Sequence, residues 1–493
     1  MASRWCQLLC PQPKQVASES MHGARLAAQQ LGRGCDACDV EAGKPCRCAQ
    51  GQEEDADFVA HMVSNRHIRQ EETTRAGGGR VAAAAVTTQQ HHSKPASTFA
   101  QSVINMVGML IGLGQLSTPY ALENGGWASI FLLVGLGIMC AYTAHIIGRC
   151  LDEEPSSKTY QDIGQQAFGS KGRLIASAFI YLEIFFALVS YTISLSDNIP
   201  LVFAGVRLHL PWLRLSTTQL LTVMAVLVAL PSLWLRNLSS ISFLSFVGIL
   251  MSMVILVTIL CTAAFSNVGL GKHIPVLRLD KIPTVSGLYM FSYAGHIVFP
   301  NIYTAMKDRS SFTRVSVTNF FMVAVLYTTL AFVGASLFGP SVNSQVTLSM
   351  PPGLLVTKVA LWATVLTPVT KYALEFAPFA IQLEHHLPAT MGPRARIIIR
   401  GSIGSAGLLL ILALALSVPY FQYVLSLTGS LISVAISVIF PCGFYLKIRW
   451  GRLSRPVVVL NAAMIAVGFV LAVVGTASSA KLLVKSIQNG HVA

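Results

Sequence analysis

The sequence carries little charge for its length. Asp, Glu, Lys and Arg make up 11% of the 493 residues, whereas about 25% is usual in soluble domains. With 53% hydrophobic residues, such a chain must place most of its surface in lipid. The formal net charge of +14 does not indicate nucleic-acid binding, because the Lys and Arg residues lie mostly in the N-terminal region and between apolar runs. We therefore expect a lipid bilayer as a partner, and no nucleic acid.

The sequence also lacks the motifs of common enzymes. The apolar part contains no phosphate-binding loop, nucleophile elbow, His-Glu-x-x-His pair or recurring Cys/His ligand spacing. We expect neither an enzyme nor a cofactor or metal there. Only Cys35-x-x-Cys38 with Cys46-x-Cys48 has the thiolates for zinc. Because this spacing is cramped and no folded module surrounds it, reduced cytosolic or lipidated cysteines are the favoured interpretation.

Residues 1–97 contain no long apolar run and no sustained amphipathic period. We expect a mostly disordered cytosolic tail there, and we expect the first apolar run to direct membrane insertion.

Eleven apolar runs follow from Thr98, most of them near the roughly 20 residues that span a bilayer. Their approximate limits are 98–122, 127–149, 173–203, 216–234, 238–265, 284–306, 315–338, 353–386, 396–417, 419–446 and 456–480. We predict an all-α integral membrane protein with eleven transmembrane helices. Its transporter domain would cover 98–480, followed by a short lumenal or extracellular C-terminal tail at 481–493.

The loops after even-numbered runs hold most of the Lys and Arg, as at Arg394, Arg396 and Arg400. The positive-inside rule places these loops and the N-terminus in the cytosol. Eleven crossings then place the C-terminus on the opposite side.

Two of the runs contain helix-weakening residues at matching places. The first has Gly108, Gly112 and Gly114 before Pro119, and the sixth has Gly295 before Pro300. Gly and Pro weaken a helix interior, and a discontinuous membrane helix is a candidate substrate site. Close helix packing through small residues is the alternative, equally good for the first run alone.

The matching break in the sixth run favours a site. Runs one and six lie five apart, so two five-helix units would have opposite orientations. This predicts a 5+5 inverted repeat over 98–265 and 284–446, with an extra helix at 456–480. The predicted substrate-binding residues are Asn105, Val107, Gly108, Gly112, Gly114, Ser292, Tyr293, Ala294 and Gly295, with Pro119 and Pro300 as the helix-break prolines.

Broken helix ends suit a zwitterion. The N–H groups at a new N-terminus would bind the carboxylate of an amino acid, and the carbonyl groups at a new C-terminus would bind its ammonium group.

The motif from Asn105-Met-Val-Gly108 through Pro119-Tyr120 to Gly125-Gly126-Trp127 resembles the opening signature of the amino acid/auxin permease family, within the amino acid–polyamine–organocation superfamily. The motif Tyr293-Ala-Gly295-His296 through Pro300 and Met306 is similar to the sixth helix of that family. The resemblance covers about 98–480 and is greatest to plant vacuolar amino acid transporters, which also carry a long polar N-terminal tail.

The resemblance implies the eleven-helix arrangement of the bacterial leucine transporter. It also implies proton-coupled amino acid transport, with sodium coupling in some animal branches. A vacuolar membrane is the expected location, and the plasma membrane is the alternative.

Ionisable residues inside membrane spans are functional candidates by default. Glu183 in the third run is expected to bind a proton or the substrate amine, and a packing role is the alternative. A carboxylate at this place is also similar to the vesicular inhibitory amino acid carriers of the family. His296 adjoins the second break, where a proton path and a neutral side chain bonded to freed carbonyls are both open.

Lys371 and Glu375 lie four residues apart in the eighth run, which favours a structural ion pair over the alternative of a gating role. Thr364, Thr367 and Thr370 form a hydroxyl stripe in the same run. In the resembling fold this helix faces the first one, where hydroxyls can hold sodium. The nearby lysine supplies positive charge instead, which favours protons over sodium.

These features predict a proton-coupled secondary active transporter of amino acids, a symporter or antiporter working by alternating access. A membrane sensor that signals through the N-terminal tail is the alternative, and a channel is a weaker third.

Overall fold

The computed structural model describes residues 97–206, 216–229, 238–266, 271–386 and 392–490. The predictions for the N-terminal tail and its cysteines lie outside these residues. Within them, helices form all the regular structure apart from one isolated bridge, which confirms the all-α class.

Fourteen α-helices of the described residues are used below, in chain order. They are α1 Phe99–Leu110, α2 Leu113–Gly125, α3 Ser129–Glu153, α4 Tyr160–Val202, α5 Thr217–Ala229, α6 Leu238–Phe265, α7 Ile282–Ser292, α8 Phe299–Ala305, α9 Phe312–Phe338, α10 Leu355–His386, α11 Pro393–Ser417, α12 Phe421–Thr428, α13 Phe440–Ile448 and α14 Arg455–Gly490. Short 3-10 turns cover Arg309–Ser311, Gly339–Ser341 and Val346–Ser349.

Each of the eleven apolar runs contains at least one of these helices. By length and composition, 6 stretches of the described residues can cross a membrane, or 7 if the bent pair of α1 and α2 counts as one. They are Ser129–Glu153, Tyr160–Val202, Phe246–Phe265, Arg309–Ser341, Phe421–Ile448 and Arg455–Asn489. Over the described residues, six or seven of the eleven predicted spans therefore meet this test, and the fourth, sixth, eighth and ninth runs do not. In the sixth run the helix is interrupted.

The first interruption lies between α1 and α2, whose axes meet at 60°. A capping box starts α1, in which Thr98 Oγ1 accepts from the Gln101 amide and the Gln101 side chain accepts from the Thr98 amide. Pro119 lies inside α2 and not at the break. Its missing N–H leaves the Gln115 carbonyl free, and Thr118 Oγ1 donates to that carbonyl at 2.9 Å. The helix therefore continues through the proline.

The second interruption separates α7, which ends at Ser292, from α8, which begins at Phe299. Pro300 lies in the first turn of α8, where a missing N–H costs nothing because that group has no helical partner. This proline therefore marks the start of the second half-helix.

Close packing holds the two interrupted helices together. A Cβ on Gly114 would lie 2.5 Å from Ser292 Cα, so α2 and α7 touch backbone to backbone. On the other side of α7, a Cβ on Gly429 would lie 1.8 Å from the Gly287 carbonyl oxygen. Only glycine permits such approaches. Both breaks thus lie at the centre of the helical bundle.

The helix between α12 and α13 is π-helical over Gly429–Ser433 and Ala435–Ile439. Tyr160, the first residue of α4, donates its hydroxyl to the Ile436 carbonyl at 2.6 Å. A kink at Phe168 and Gly169, where Gly169 has φ +64°, separates this first part of α4 from the long apolar part. Such π segments occur often at functional sites.

A buried polar cluster joins α4 to the segment before the 3-10 turn Val346–Ser349. Gln345 Nε2 donates to Asp197 Oδ2 at 2.7 Å, and Gln345 Oε1 accepts from Ser194 Oγ at 2.6 Å and from Asn198 Nδ2 at 2.8 Å. These hydrogen bonds attach the segment around Gln345 to the C-terminal part of α4.

A short backbone bridge joins the chain before α1 to the chain after α8. The Ser97 amide donates to the Ala305 carbonyl at 3.0 Å, and the Lys307 amide donates to the Ser97 carbonyl at 3.1 Å. The outer ends of the two interrupted helices are therefore connected directly.

Candidate functional site

A cavity of about 60 Å³ lies between the two breaks, which is room for several water molecules. Its wall combines backbone from the break regions with side chains of α4 and α10. The lining residues are Met109, Leu110, Gly112, Leu113, Gly114, Glu183, Ala187, Tyr191, Phe291, Ala294, Gly295, Ile297, Lys371 and Glu375. Two carboxyl groups and one amino group thus share a small, largely apolar space.

Five residues predicted from the sequence line this cavity. They are Gly112, Gly114, Glu183, Ala294 and Gly295. A Cβ on Gly295 would lie 2.7 Å from Leu110 Cδ2, so the second break packs against the end of α1. The two breaks therefore meet here, as a two-sided site requires.

Other predicted binding residues lie away from the cavity wall. A Cβ on Gly108 would lie 2.3 Å from Ile249 Cδ1, so this glycine serves the packing of α1 on α6. Asn105 is exposed and Val107 is half-buried on α1. Ser292 Oγ donates to the Leu288 carbonyl at 2.9 Å.

Tyr293 packs its ring against Tyr327 at a centroid distance of 5.7 Å. It is fully buried and belongs to the core of the second break.

Lys371 places its ammonium group at the end of α1. Its Nζ donates to the Ile111 carbonyl at 2.7 Å and lies 3.5 Å from the Gly108 carbonyl oxygen. These carbonyls lack helical partners because the helix stops there, and they form the negative end of its dipole. The expected ion pair between Lys371 and Glu375 is absent from the salt bridges of the described residues. Lys371 instead bonds to carbonyl groups at the end of α1, which its spacing from Glu375 within α10 could not reveal.

Tyr327 of α9 connects the carbonyl ends of both interrupted helices. Its hydroxyl lies 2.7 Å from the Leu110 carbonyl oxygen and 3.0 Å from the Ser292 carbonyl oxygen. A phenol has a single proton, so Tyr327 donates to one of these carbonyls at a time. Together with Lys371, it occupies the freed acceptors around the cavity.

Glu183 is 6% exposed and accepts one hydrogen bond, from Ser433 Oγ to Oε1 at 3.0 Å. Its Oε2 has no hydrogen-bond partner within the described residues. A charged carboxylate with so few donors is costly to bury, whereas a bound proton removes the charge. The surroundings of Glu183 therefore suit a group that takes up and releases a proton.

His296 is fully buried outside the cavity wall. Its Nε2 lies 2.9 Å from Thr143 Oγ1 and 3.2 Å from the Cys140 carbonyl oxygen, both on α3. Because a carbonyl only accepts, Nε2 is a donor when it bonds to Cys140. That carbonyl belongs to α3 and not to the break.

Thr367 and Thr370 are buried on α10 and do not line the cavity. Thr367 Oγ1 donates to the Ala363 carbonyl at 2.8 Å, and Thr370 Oγ1 donates to the Thr367 carbonyl at 2.9 Å. A Cβ on Gly248 would lie 3.1 Å from Thr370 Oγ1, so this hydroxyl packs against α6.

Sequence reasoning did not single out Tyr191 or Tyr327. Tyr191 follows Glu183 and Ala187 at intervals of four residues, so the three share one face of α4. That spacing was a usable signal. For Tyr327 no local signal exists, because buried tyrosines are also common in protein cores.

The family model described as transmembrane amino acid transporter protein matches residues 95–481. Amino acid transporter AVT1H of Arabidopsis thaliana is 60% identical over 398 residues, covering 80% of this chain and 92% of the relative. Amino acid transporter AVT1B of the same plant is 37% identical over 392 residues, covering 79% and 72%. Among solved structures, the inward facing conformation of Mhp1 aligns with 80% of this chain and 91% of that chain, at 13% identity and a TM-score of 0.49.

The matched region contains both breaks and every residue of the cavity wall. It confirms the resemblance carried by the motifs around Asn105 and Tyr293, and the relatives are named as transporters and not as enzymes. The chain belongs to the family of transmembrane amino acid transporters.

Proposed function

We propose that this protein is a proton-coupled secondary active transporter that moves amino acids across a membrane by alternating access. The observation that carries the proposal is the cavity at the meeting of the two breaks, where Glu183, Lys371 and Glu375 converge. Membership of an amino acid transporter family supplies the substrate class.

The cavity offers complementary groups to a zwitterion. The first turn of α2, which begins at Leu113, presents N–H groups without helical partners and suits the substrate carboxylate. The carbonyls at the end of α1 already have donors in Lys371 and Tyr327. The substrate ammonium group is therefore expected at the carboxyl group of Glu375, which lines the same cavity.

Proton coupling is assigned to Glu183, whose burial and single hydrogen bond favour the protonated form. Sodium coupling is disfavoured because the Lys371 ammonium group occupies the negative end of α1. A second cation there would meet a like charge at short range.

We extend the proposal to topology and location. Helices in all eleven apolar runs, with interruptions in the first and sixth, support eleven crossings in a 5+5 inverted repeat with one extra helix. The distribution of Lys and Arg supports a cytosolic N-terminus. Resemblance to plant vacuolar transporters supports the vacuolar membrane.

Reconstituted protein in sealed liposomes tests the function. Wild type is expected to accumulate labelled amino acid when a pH gradient is imposed, and to exchange internal for external substrate when no gradient is present. Absence of saturable exchange for a panel of amino acids would contradict transport itself.

Glu183→Gln tests the coupling. It is expected to abolish accumulation driven by the pH gradient while preserving exchange, because a glutamine cannot carry the proton. Glu154→Gln is the control, since Glu154 lies in an exposed loop and its side chain accepts hydrogen bonds from the exposed Ser156. Normal pH-driven accumulation by Glu183→Gln would end the assignment of the proton to this residue.

A further inference from the structure

A line of buried hydroxyl groups leads from the cavity towards the end of the bundle where α4 begins. It starts at Glu183, whose Oε1 accepts from Ser433 Oγ at 3.0 Å. Ser433 ends the π-helical segment Gly429–Ser433, and Ser437 follows in Ala435–Ile439. A π-helix has more than four residues per turn, so residues four apart share a face. Ser433 and Ser437 are both fully buried.

Tyr160 contacts the same π-helical segment. Its hydroxyl donates to the carbonyl of Ile436, the residue before Ser437, at 2.6 Å. The tyrosine is 1% exposed, and it directly follows a loop in which Glu154, Ser156 and Lys158 are exposed. Along the chain, Tyr160 therefore connects this segment to residues that meet solvent.

Two buried oxygens along this line have no partner among the residues that the structure describes. They are Glu183 Oε2, on the carboxyl group that Ser433 contacts, and the Oγ of Ser437 itself. Buried polar atoms are nearly always hydrogen-bonded, and water supplies the bond where protein does not. Each of these two atoms lacks a bond that a water molecule would supply, and the proposed route needs water at both places.

Aromatic rings flank the line. Phe440 and Phe444 stack with centroids 5.8 Å apart, the Tyr160 ring lies 5.9 Å from Phe444, and Phe179 lies 4.9 Å from Phe440. Rings at these distances are in contact with one another, so this part of the bundle is largely apolar. A proton route here would use hydroxyl groups and single waters.

Few charged groups face the line. Lys371 and Glu375 share the cavity with Glu183 at its inner end. At its outer end, Glu183, Cys442 and Cys150 are the titratable groups within electrostatic range of Tyr160.

Beyond these, Arg449 at the end of α13 is paired with Glu153 at 3.0 Å. Among the described residues, the serine hydroxyls between Glu183 and Tyr160 therefore include no charged side chain that would bind the proton in place of Glu183.

We propose that Ser433, Ser437 and Tyr160 form a proton route between Glu183 and the membrane face where α4 begins, which the positive-inside rule predicts to be cytosolic. In each step a hydroxyl or a bridging water accepts one proton at its oxygen and releases another proton to the next acceptor. Each oxygen thus forms one O–H bond and breaks one, so that one proton moves in total, and water is the only other reactant. The route gives Glu183 an exchange path separate from the substrate cavity. It rests on the proposed proton-carrying role of Glu183.

The test uses the full chain in proteoliposomes containing a pH-sensitive dye, with proton entry and labelled amino acid uptake recorded together. Ser433→Ala and Ser437→Ala each remove one hydroxyl and should lower pH-driven uptake and its proton signal by roughly tenfold or more. Exchange at equal pH should remain at the wild-type rate. Ser433→Thr restores a hydroxyl and should restore coupled uptake.

Ser430→Ala is the matched control. Ser430 lies in the same π segment, but its hydroxyl faces Thr476 on α14 at 3.2 Å. This variant should retain both activities. If Ser433→Ala fails to fold, Ser437→Ala and Tyr160→Phe decide, because each changes one hydroxyl at another point of the line.

The outcomes separate the two proposals. Loss of coupling in Glu183→Gln with normal coupling in the serine and tyrosine variants would overturn the route and leave the role of Glu183 intact. Normal coupling in Glu183→Gln would overturn that role. Equal losses of exchange and of pH-driven uptake in the serine variants would also overturn the route, since a purely structural defect acts on both.

Discussion

The crossing of α2 and α7 at Gly114 allows a quantitative test of how the cavity is held together. In Gly114→Ala, the new Cβ would lie 2.5 Å from Ser292 Cα and 2.6 Å from Ser292 Oγ, whereas ordinary contacts lie at 3.4–4 Å. The nearest atom is backbone, so a rotamer change cannot relieve the overlap. The two half-helices must separate by about 1 Å, or the surrounding core must adjust.

Such overpacking typically costs about 1–3 kcal/mol. Alanine recovers about 0.5–1 kcal/mol relative to glycine in a helix. The net loss of about 1–2 kcal/mol lowers the ratio of packed to separated arrangements by a factor of roughly 5–30. Because transport requires both breaks at the cavity, the initial rate of amino acid uptake should fall, by at most a similar factor.

Uptake into proteoliposomes and thermal unfolding in detergent measure the two consequences. Gly135→Ala on α3 is the control, because no atom lies within 4 Å of its new Cβ. It should transport normally and unfold at the same or a slightly higher temperature. If Gly114→Ala matched the control in both assays, the backbone contact between the breaks would have no role in assembling the cavity.

Three other changes have distinct expected results. Gly112→Ala places a Cβ 2.8 Å from Lys371 Nζ, so it should move the ammonium group off its carbonyls and lower uptake about tenfold while the fold survives. Gln345→Leu leaves Asp197 and its neighbours without their buried partner and should lower the free energy of unfolding by about 2 kcal/mol, measured by thermal unfolding. Ser97→Pro removes the amide that donates to the carbonyl of Ala305 at the end of α8, and cysteine labelling should show the N-terminal end of α1 more accessible.

These three predictions have controls or outcomes that would contradict them. Asn343→Leu changes an exposed neighbour of Gln345 and should leave the unfolding temperature unchanged, whereas equal stability of both variants would show that the cluster contributes nothing. Ser97→Ala retains the backbone amide and should label like wild type. Normal uptake by Gly112→Ala would mean that the position of the ammonium group is immaterial.

Sequence reasoning predicted the regions of both breaks, because glycines and prolines inside apolar runs weaken helices wherever they occur. It did not place the breaks precisely. Pro119 lies within α2, since the hydroxyl of Thr118 satisfies the carbonyl that the proline frees. Gly108 looked like a site residue because it is a glycine near the break. In the structure it packs against Ile249, a residue more than a hundred positions away in the chain, which no local pattern could predict.

Glu183 stood out because a lone carboxyl in an apolar run is unusual whatever surrounds it. Lys371 illustrates the opposite case. Its spacing from Glu375 predicted a local pair, and only the three-dimensional arrangement brings the end of α1 within reach of its ammonium group. Contacts between distant segments are thus the part of the site that local patterns could not supply.

The lysine at the end of α1 also bears on the stoichiometry of the transport cycle. A bound metal cation dissociates and carries its charge through the membrane potential, which is worth about 2.3 kcal/mol per charge at 100 mV. An ammonium group attached to α10 never leaves the protein and cannot be depleted by dilution. If this cation takes the place of a co-transported metal ion and the proposed proton coupling holds, only the charges of the substrate and the proton cross the membrane in each turnover. A carrier of that kind would need only a proton pump in the same membrane, whatever the sodium content of its surroundings.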